Sequence, residues 1–265
     1  MRIYSLIFFI AMLLQGCGIP QSPDEFDKTP EAEFLKATVN RLVSNEHTAI
    51  ESMMDPRVQQ SDIKQALEQL RSLVPVGAPT HLEPVAWNFV KTASTMSGSG
   101  GSRSANVAIE YTYPGPKWVV ASASLSGEPG QFRIVSFNVE PIAAPLSKLN
   151  AFTLKGKSAA HYLFVLLPTI TCIISVYAFV RCLRTKGLKR KWLWSLFTLV
   201  GVGAFSMNWT NGAIFMNILH FNFLSATYMR SGWIGPWVIT FSIPVGALVF
   251  LWKHRITATP ALEVA

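Results

Sequence analysis

The sequence predicts an α+β soluble domain, two helices packed on a curved antiparallel four-strand sheet, followed by an all-α membrane domain of three transmembrane helices. Three observations carry that expectation. First, an apolar run of 22 residues at 159–180 would rise about 33 Å as a helix, enough for a hydrocarbon core about 30 Å thick. Second, that run is closed by RCLRTKGLKRK, where Arg181, Arg184, Lys186, Lys189, Arg190 and Lys191 form a short basic loop of the kind retained on the cytoplasmic side. Third, the region before it passes from helical to strand periodicity, while the region after it stays apolar.

Half of the residues are apolar and 14% are charged. The net charge of +8 invites a nucleic-acid reading, but its distribution argues otherwise. Between Gly18 and Lys157 there are 13 Lys and Arg against 14 Asp and Glu, whereas the remaining ten basic residues face Glu263 alone. The excess is charge beside membrane segments, and no nucleic-acid partner is expected. Of the three cysteines, Cys17, Cys172 and Cys182, none lies between Gly18 and Lys157, so neither a disulfide nor a cysteine-based zinc site is expected there.

Met1, Arg2 and the apolar run 3–14 describe a secretory signal peptide over 1–16. Leu14-Gln15-Gly16-Cys17 resembles the lipobox of bacterial lipoproteins. The resemblance implies a diacylglycerol-modified Cys17 (a palmitate-type lipid anchor), cleavage before it, a lipidated linker over 17–28, and a bacterial envelope location. From the residues alone, an uncleaved signal anchor is the alternative.

The soluble domain is expected over 29–145. Thr29 reads as an N-cap, Pro30 as the first helical residue, and Glu31 and Glu33 suit the positive end of the dipole. Leu35, Val39, Leu42, Val43, Ala49, Ile50 and Met53 continue one helical stripe until Asp55-Pro56. A second helix is expected over 61–73, with Ile63, Ala66, Leu67, Leu70 and Leu73 on one face. From Thr80 the period becomes two. Strands are expected around Val85, Trp87 and Phe89, then around Val107 to Tyr113, 117–125 and 132–139, with turns at Pro114-Gly115-Pro116 and Gly127-Glu128-Pro129-Gly130. Trp118 in a strand after a tight turn, together with the closing run Phe132-Arg133-Ile134-Val135-Ser136-Phe137-Asn138-Val139, resembles the cystatin-like and NTF2-like superfamily. That resemblance implies a pocket between helix and sheet, used in some members for catalysis and in others for binding or dimerisation.

No catalytic, metal or cofactor site is expected. His47 and His81 are the soluble region's histidines and read as a helix and a loop residue; Asp55, Glu83 and Glu110 have no spacing that joins them to either. G-x-S-x-G, H-E-x-x-H and P-loop patterns are absent. Trp87, Tyr111, Tyr113, Trp118, Phe132 and Phe137 are the candidates for an apolar ligand pocket.

After a linker at 146–158, transmembrane helices are expected at 159–180, 192–207 and 233–252. Trp192, Trp194, Trp209, Trp233, Trp237 and Trp252 near their ends read as an interfacial belt. The stretch 211–230, with Asn217, His220 and Asn222 among apolar residues, reads as an interfacial segment, with a re-entrant segment or a fourth span as alternatives. Lys253, His254 and Arg255 would open a cytoplasmic tail over 253–265. His161 and His220 read as interfacial histidines. The functional expectation is a non-catalytic envelope lipoprotein of the bacterial inner membrane, binding another envelope protein or an apolar ligand on its extracytoplasmic side. The alternatives are a small transport or channel subunit and a periplasmic hydrolase or isomerase of NTF2-like type.

Overall fold

A computed structural model of the chain describes residues 22–58, 62–92 and 102–254. Cys17, the signal-peptide reading and nearly all of the tail at 253–265 lie outside them. The chain divides into two compact units, Met1–Leu146 with Gly232–Ile234, and Ser147–Ser231 with Gly235–Ala265.

In the first unit, helices α1 (Pro23–Phe26), α2 (Pro30–Val43), α3 (His47–Met53) and α4 (Ile63–Ser72) precede strands β1 (His81–Thr92), β2 (Ser102–Tyr113), β3 (Lys117–Ser126) and β4 (Arg133–Ile142). The start of α2 follows from its sequence: the Thr29 hydroxyl accepts from the Ala32 amide at 3.3 Å, and Pro30 occupies a position that has no use for an N–H. The stripe expected to run on to Met53 is interrupted at Asn45, whose φ of 63° is a conformation asparagine tolerates better than most residues. The apolar spacing therefore serves two helices.

The four strands form an antiparallel meander in the order β1-β2-β3-β4. Alternation decides its faces: Val119, Ala121, Ala123 and Leu125 of β3 are buried against the helices, as are their cross-strand partners Tyr111, Ile109, Val107 and Ala105 of β2. Leu35, Leu42, Ile50 and Leu67 complete this core, and Trp233 adds a ring 5.3 Å from Phe26. On the opposite face, Glu110 is only 1% exposed and accepts from the Leu146 amide at 2.7 Å. Burial, and then the charge of Glu83, raise its pKa, while the Leu146 bond and His81 oppose the shift. A carboxyl that holds its proton more tightly folded than unfolded contributes stability below about pH 4.5, and that contribution is lost as pH rises through the raised value. Glu110→Gln keeps an acceptor for Leu146 and removes the ionisation. Its unfolding free energy is expected to show a flatter pH dependence above 4.5 than the parent's in urea titrations across pH 4–8.

The second unit overturns the predicted three-helix membrane domain. It contains α5 (Leu146–Leu149), which begins at the last residue of the first unit, then α6 (Ala159–Arg184), α7 (Lys191–Thr198), β5 (Val200–Asn208), β6 (Ile214–Phe223), β7 (Ala226–Arg230), β8 (Trp237–Ile243) and α8 (Val245–Lys253). The strands form a second antiparallel sheet, ordered β6-β5-β8-β7. Only the 159–180 expectation corresponds to a long helix, and α6 is the one helix among the described residues long and apolar enough to cross a membrane. The expected span 192–207 is a short helix and a strand. Val200, Val202 and the left-handed Gly203 (φ 75°) favour extended or special backbone over helix there. The expected span 233–252 is broken by Pro244: before it, Trp237-Val238-Ile239-Thr240-Phe241 is rich in strand-forming types, and after it a nine-residue helix starts. The interfacial segment 211–230 becomes β6 and β7.

Around α6, Ala178 and Cys182 pack with Ala247 and Phe250 of α8 and with Trp194 of α7. Glycine contributes two close approaches. A side chain at Gly201 would meet Ser225 and Ser242, and one at Gly246 would strike the Phe197 carbonyl. The predicted tryptophan belt is likewise divided: Trp209 is buried, with its indole N–H donating to the Thr153 carbonyl at 3.2 Å, while Trp192 and Trp252 are exposed.

Candidate functional site

The first unit carries an apolar groove of about 330 Å³ between α4 and β4. One wall is the stripe Ile63, Ala66, Leu67 and Leu70 of α4. Spacings of three and four residues bring these side chains to one face, with Ile63 and Leu67 buried and Ala66 at the open side. The floor is the segment 134–137 of β4. There the pairing shifts register: Leu125 faces Ile134 but Ser124 faces Ser136, so Val135 is the extra residue of a bulge. The bulge turns Val135, Ser136 and Phe137 together into the groove.

Met54 and Val58 form the second wall, on a segment held by several bonds. Met54 bridges Ile134, and the Asp55 amide donates to the Ile134 carbonyl at 2.9 Å. The Asp55 carboxylate takes both Arg57 Nε (2.9 Å) and Nη2 (2.7 Å), as well as the Arg57 amide at 3.0 Å and the Ser126 hydroxyl at 3.4 Å. These donors, the Arg57 side chain first, hold the Asp55 carboxyl well below the usual carboxylate range. Arg133 Nη1 adds a bond to the Ser52 carbonyl at 2.7 Å. The polar lining is limited to Asp62 and Ser136. Asp62 precedes α4 without capping it, which leaves its carboxylate at the mouth, available to a ligand's donor.

The six aromatic residues expected to form one pocket do not line a common cavity: five of them belong to or pack against the core, and Trp118 lies apart. Tyr111 and Tyr113 are core residues of the helix-covered face, and burial raises both phenol pKa values, that of Tyr111 further with the charges of Tyr113 and Asp27. Phe132 is buried, edge-on to Phe34 with ring centres 5.6 Å apart. Trp87 is half-buried against the same core. Trp118 lies on the other face of the sheet, because it precedes the inward Val119, and lines a separate recess with Leu73, Pro75 and Pro141. Phe137 alone of the six reaches the groove. The groove's other lining residues were visible in sequence only as a helical stripe and a strand, and no local signal joins Met54 and Val58 to them.

His47 is buried, with its Nε2 unpartnered, and His81 is exposed at the start of β1. No group of three or more His, Cys, Asp and Glu side chains suited to a metal occurs among the described residues. The six basic residues after the long helix gather where α6 passes into α7. Arg181 Nη2 donates to the His254 carbonyl at 3.1 Å and Lys191 Nζ to the Leu183 carbonyl at 2.8 Å, while Arg184, Lys186, Lys189 and Arg190 are exposed. His161 is held by the Ser158 hydroxyl at 2.8 Å and lies edge-on to Trp209, whereas His220 is exposed on β6.

Fold and site together define a helix-covered antiparallel meander with a half-open apolar groove, joined to a second unit built on its own sheet. Comparisons with protein-family models, with curated proteins and with solved structures found no match to this chain.

Proposed function

We propose that the chain is a membrane-held binding module of the bacterial envelope that takes up a small amphiphile in the groove between α4 and β4. The observation that carries this reading is the groove itself: nine apolar side chains with one carboxylate at the mouth. Its volume lies at the lower end of small-molecule sites, and its composition suits an apolar body fixed by a single polar contact. The Asp62 carboxylate favours an amine or hydroxyl head over an acid, because an anionic head would meet like charge. Binding without chemistry is supported by the places of Glu31 and Glu110, each 1% exposed: neither lines the groove, and Glu110 lies under the Leu146 amide on the face opposite the helices.

Attachment to the inner membrane rests on the apolar α6, with its basic turn on the cytoplasmic side, and on the lipobox-like Cys17. The cystatin-like or NTF2-like kinship remains part of this reading for the first unit. Replacing Ala66 with tryptophan fills the open side of the groove from an exposed position. Dodecylamine is expected to quench or shift the fluorescence of an apolar dye in the parent chain, and more strongly than dodecanoate. Ala66→Trp is expected to weaken dodecylamine at least tenfold while leaving the melting curve within about 0.5 kcal/mol. Equal binding of amine by the filled variant sinks the assignment.

A further inference from the structure

The basic turn between α6 and α7 holds more charge than its own packing uses. Arg181 and Lys191 direct their side chains to the carbonyls of His254 and Leu183, at the ends of α8 and α6. Lys189 and Arg190 make no ion pair among the described residues, and their own unit offers none there: no Asp or Glu occurs between Ser147 and His254. Both line a recess of about 270 Å³ whose other walls are Leu193, Trp194 and Phe197 of α7.

Charge and apolarity are ordered along this recess. Lys189 and Arg190 precede α7, whereas Leu193 and Phe197, four residues apart, share one face of it and are each 40% exposed. Trp194 is half-buried, its ring centre 5.8 Å from that of Phe250 and 5.4 Å from Lys253 Nζ. A third cation therefore stands against the same ring. Arg190 also holds a left-handed backbone (φ 53°), which glycine or asparagine adopts with less strain. A long cation stands there instead.

The occupant must complement both ends. Cations without an acid to answer them suit an anion, and the apolar strip that continues from them suits a hydrocarbon tail. A free phosphate meets the first condition alone and leaves Leu193 and Phe197 in water. We propose that the recess is a binding site for an anionic phospholipid, its phosphate between Lys189 and Arg190 and an acyl chain along Leu193 and Phe197. The site rests on the membrane attachment proposed above, and its depth agrees with that reading. As a helix of 26 residues, α6 rises about 39 Å, more than a hydrocarbon core of about 30 Å, so its basic end reaches the headgroups. Anionic lipids of the cytoplasmic leaflet supply the opposite charge there. Orientation alone needs positive charge anywhere on the turn, but a lipid site needs it at the recess.

That difference is what the experiment reads. The full chain in detergent is titrated with phosphatidylglycerol and with phosphatidylcholine, and bound lipids are counted by native mass spectrometry. The first phosphatidylglycerol is expected to bind at least tenfold more tightly than the first phosphatidylcholine. Lys189→Gln with Arg190→Gln should remove this preference. Arg184→Gln with Lys186→Gln lowers the charge of the turn equally, at exposed residues outside the recess, and should leave the preference within twofold. Equal loss in both pairs would mean a diffuse basic surface and overturns the site. So does an absent preference in the parent, displacement of the lipid by millimolar inorganic phosphate, or loss of phosphatidylglycerol binding in Ala66→Trp, which would place the lipid in the groove. Alkaline extraction of membranes reports separately on attachment: a chain that is retained without lipid preference fails the site alone, and a chain that is released fails both readings.

Discussion

Leu35→Ala is expected to destabilise the first unit by about 2–5 kcal/mol. Leu35 is fully buried on α2, within the cluster that joins the helices to the inner face of the sheet. Truncation there loses the transfer energy of the removed groups and leaves a cavity among Leu42, Ile109 and their neighbours, which sit on rigid elements and cannot close around it. Val76→Ala supplies the comparison, because that side chain is fully exposed and its loss should stay within about 0.5 kcal/mol. Urea unfolding of the full chain, followed by pulse proteolysis at sites in the first unit, measures both. A Leu35→Ala chain as resistant as the parent would mean that α2 does not cover the sheet.

Gly201→Ala is expected to cost about 2–3 kcal/mol in the second unit, and here the sign decides between architectures. In the transmembrane helix that composition predicted over 192–207, alanine in place of glycine gains about 1 kcal/mol of helix propensity. In β5, the added Cβ would lie 2.6 Å from Ser225 Oγ, 2.7 Å from Ser242 Cβ and 2.9 Å from Ser225 Cα. Ser225 has little room to retreat: its own φ is 59°, its carbonyl accepts from the Ser242 amide at 2.9 Å, and its hydroxyl faces that of Ser175 at 3.1 Å. Gly203→Ala is a milder companion. Its φ of 75° penalises any side chain, but the nearest atom to a new Cβ is 3.9 Å away, so a cost of about 1 kcal/mol is expected. Thermal unfolding in detergent, with protease cleavage near β5 as the readout, reports the sign. Stabilisation by Gly201→Ala would restore the helical reading of this segment.

These two units differ in how much of each was legible. In the first, local rules suffice for most elements: the Thr29-Pro30 start of α2, the period-two runs and the Pro-Gly turns are short-range signals, and each specifies its own element. The break at Asn45 was less visible, because apolar spacing continues across it and one residue's backbone conformation interrupts the helix. In the second unit, composition was the dominant signal and it misled. Apolarity reports that a segment leaves water, and it does not distinguish a helix from a strand. Val200, Val202, Gly203 and Pro244 are helix-opposing residues that a hydropathy reading averages away.

The groove shows the same division at the scale of a site. Ile63, Ala66, Leu67 and Leu70 were legible as one helical face, and Phe137 as a strand residue, since periods of 3.6 and 2 are properties of neighbours in sequence. The joining of that face to Met54, Val58 and the bulged strand was not, and neither was the placement of Trp118 on the face away from Tyr111. Cross-strand register and bulges arise from pairing between distant segments, and a shift of one residue reverses which face a side chain occupies. By itself, then, the sequence determined the near-neutral stretch 18–157, its helix starts and strand periods, the long apolar α6 and the basic turn that follows it. Tertiary structure alone decided that the apolar half closes as a second sheet, that Asp62 stands at the mouth of a groove, and that β6 is left as an open edge. The reason is physical: short-range propensity chooses elements, whereas burial and strand pairing, which act between segments far apart in the chain, choose what those elements face.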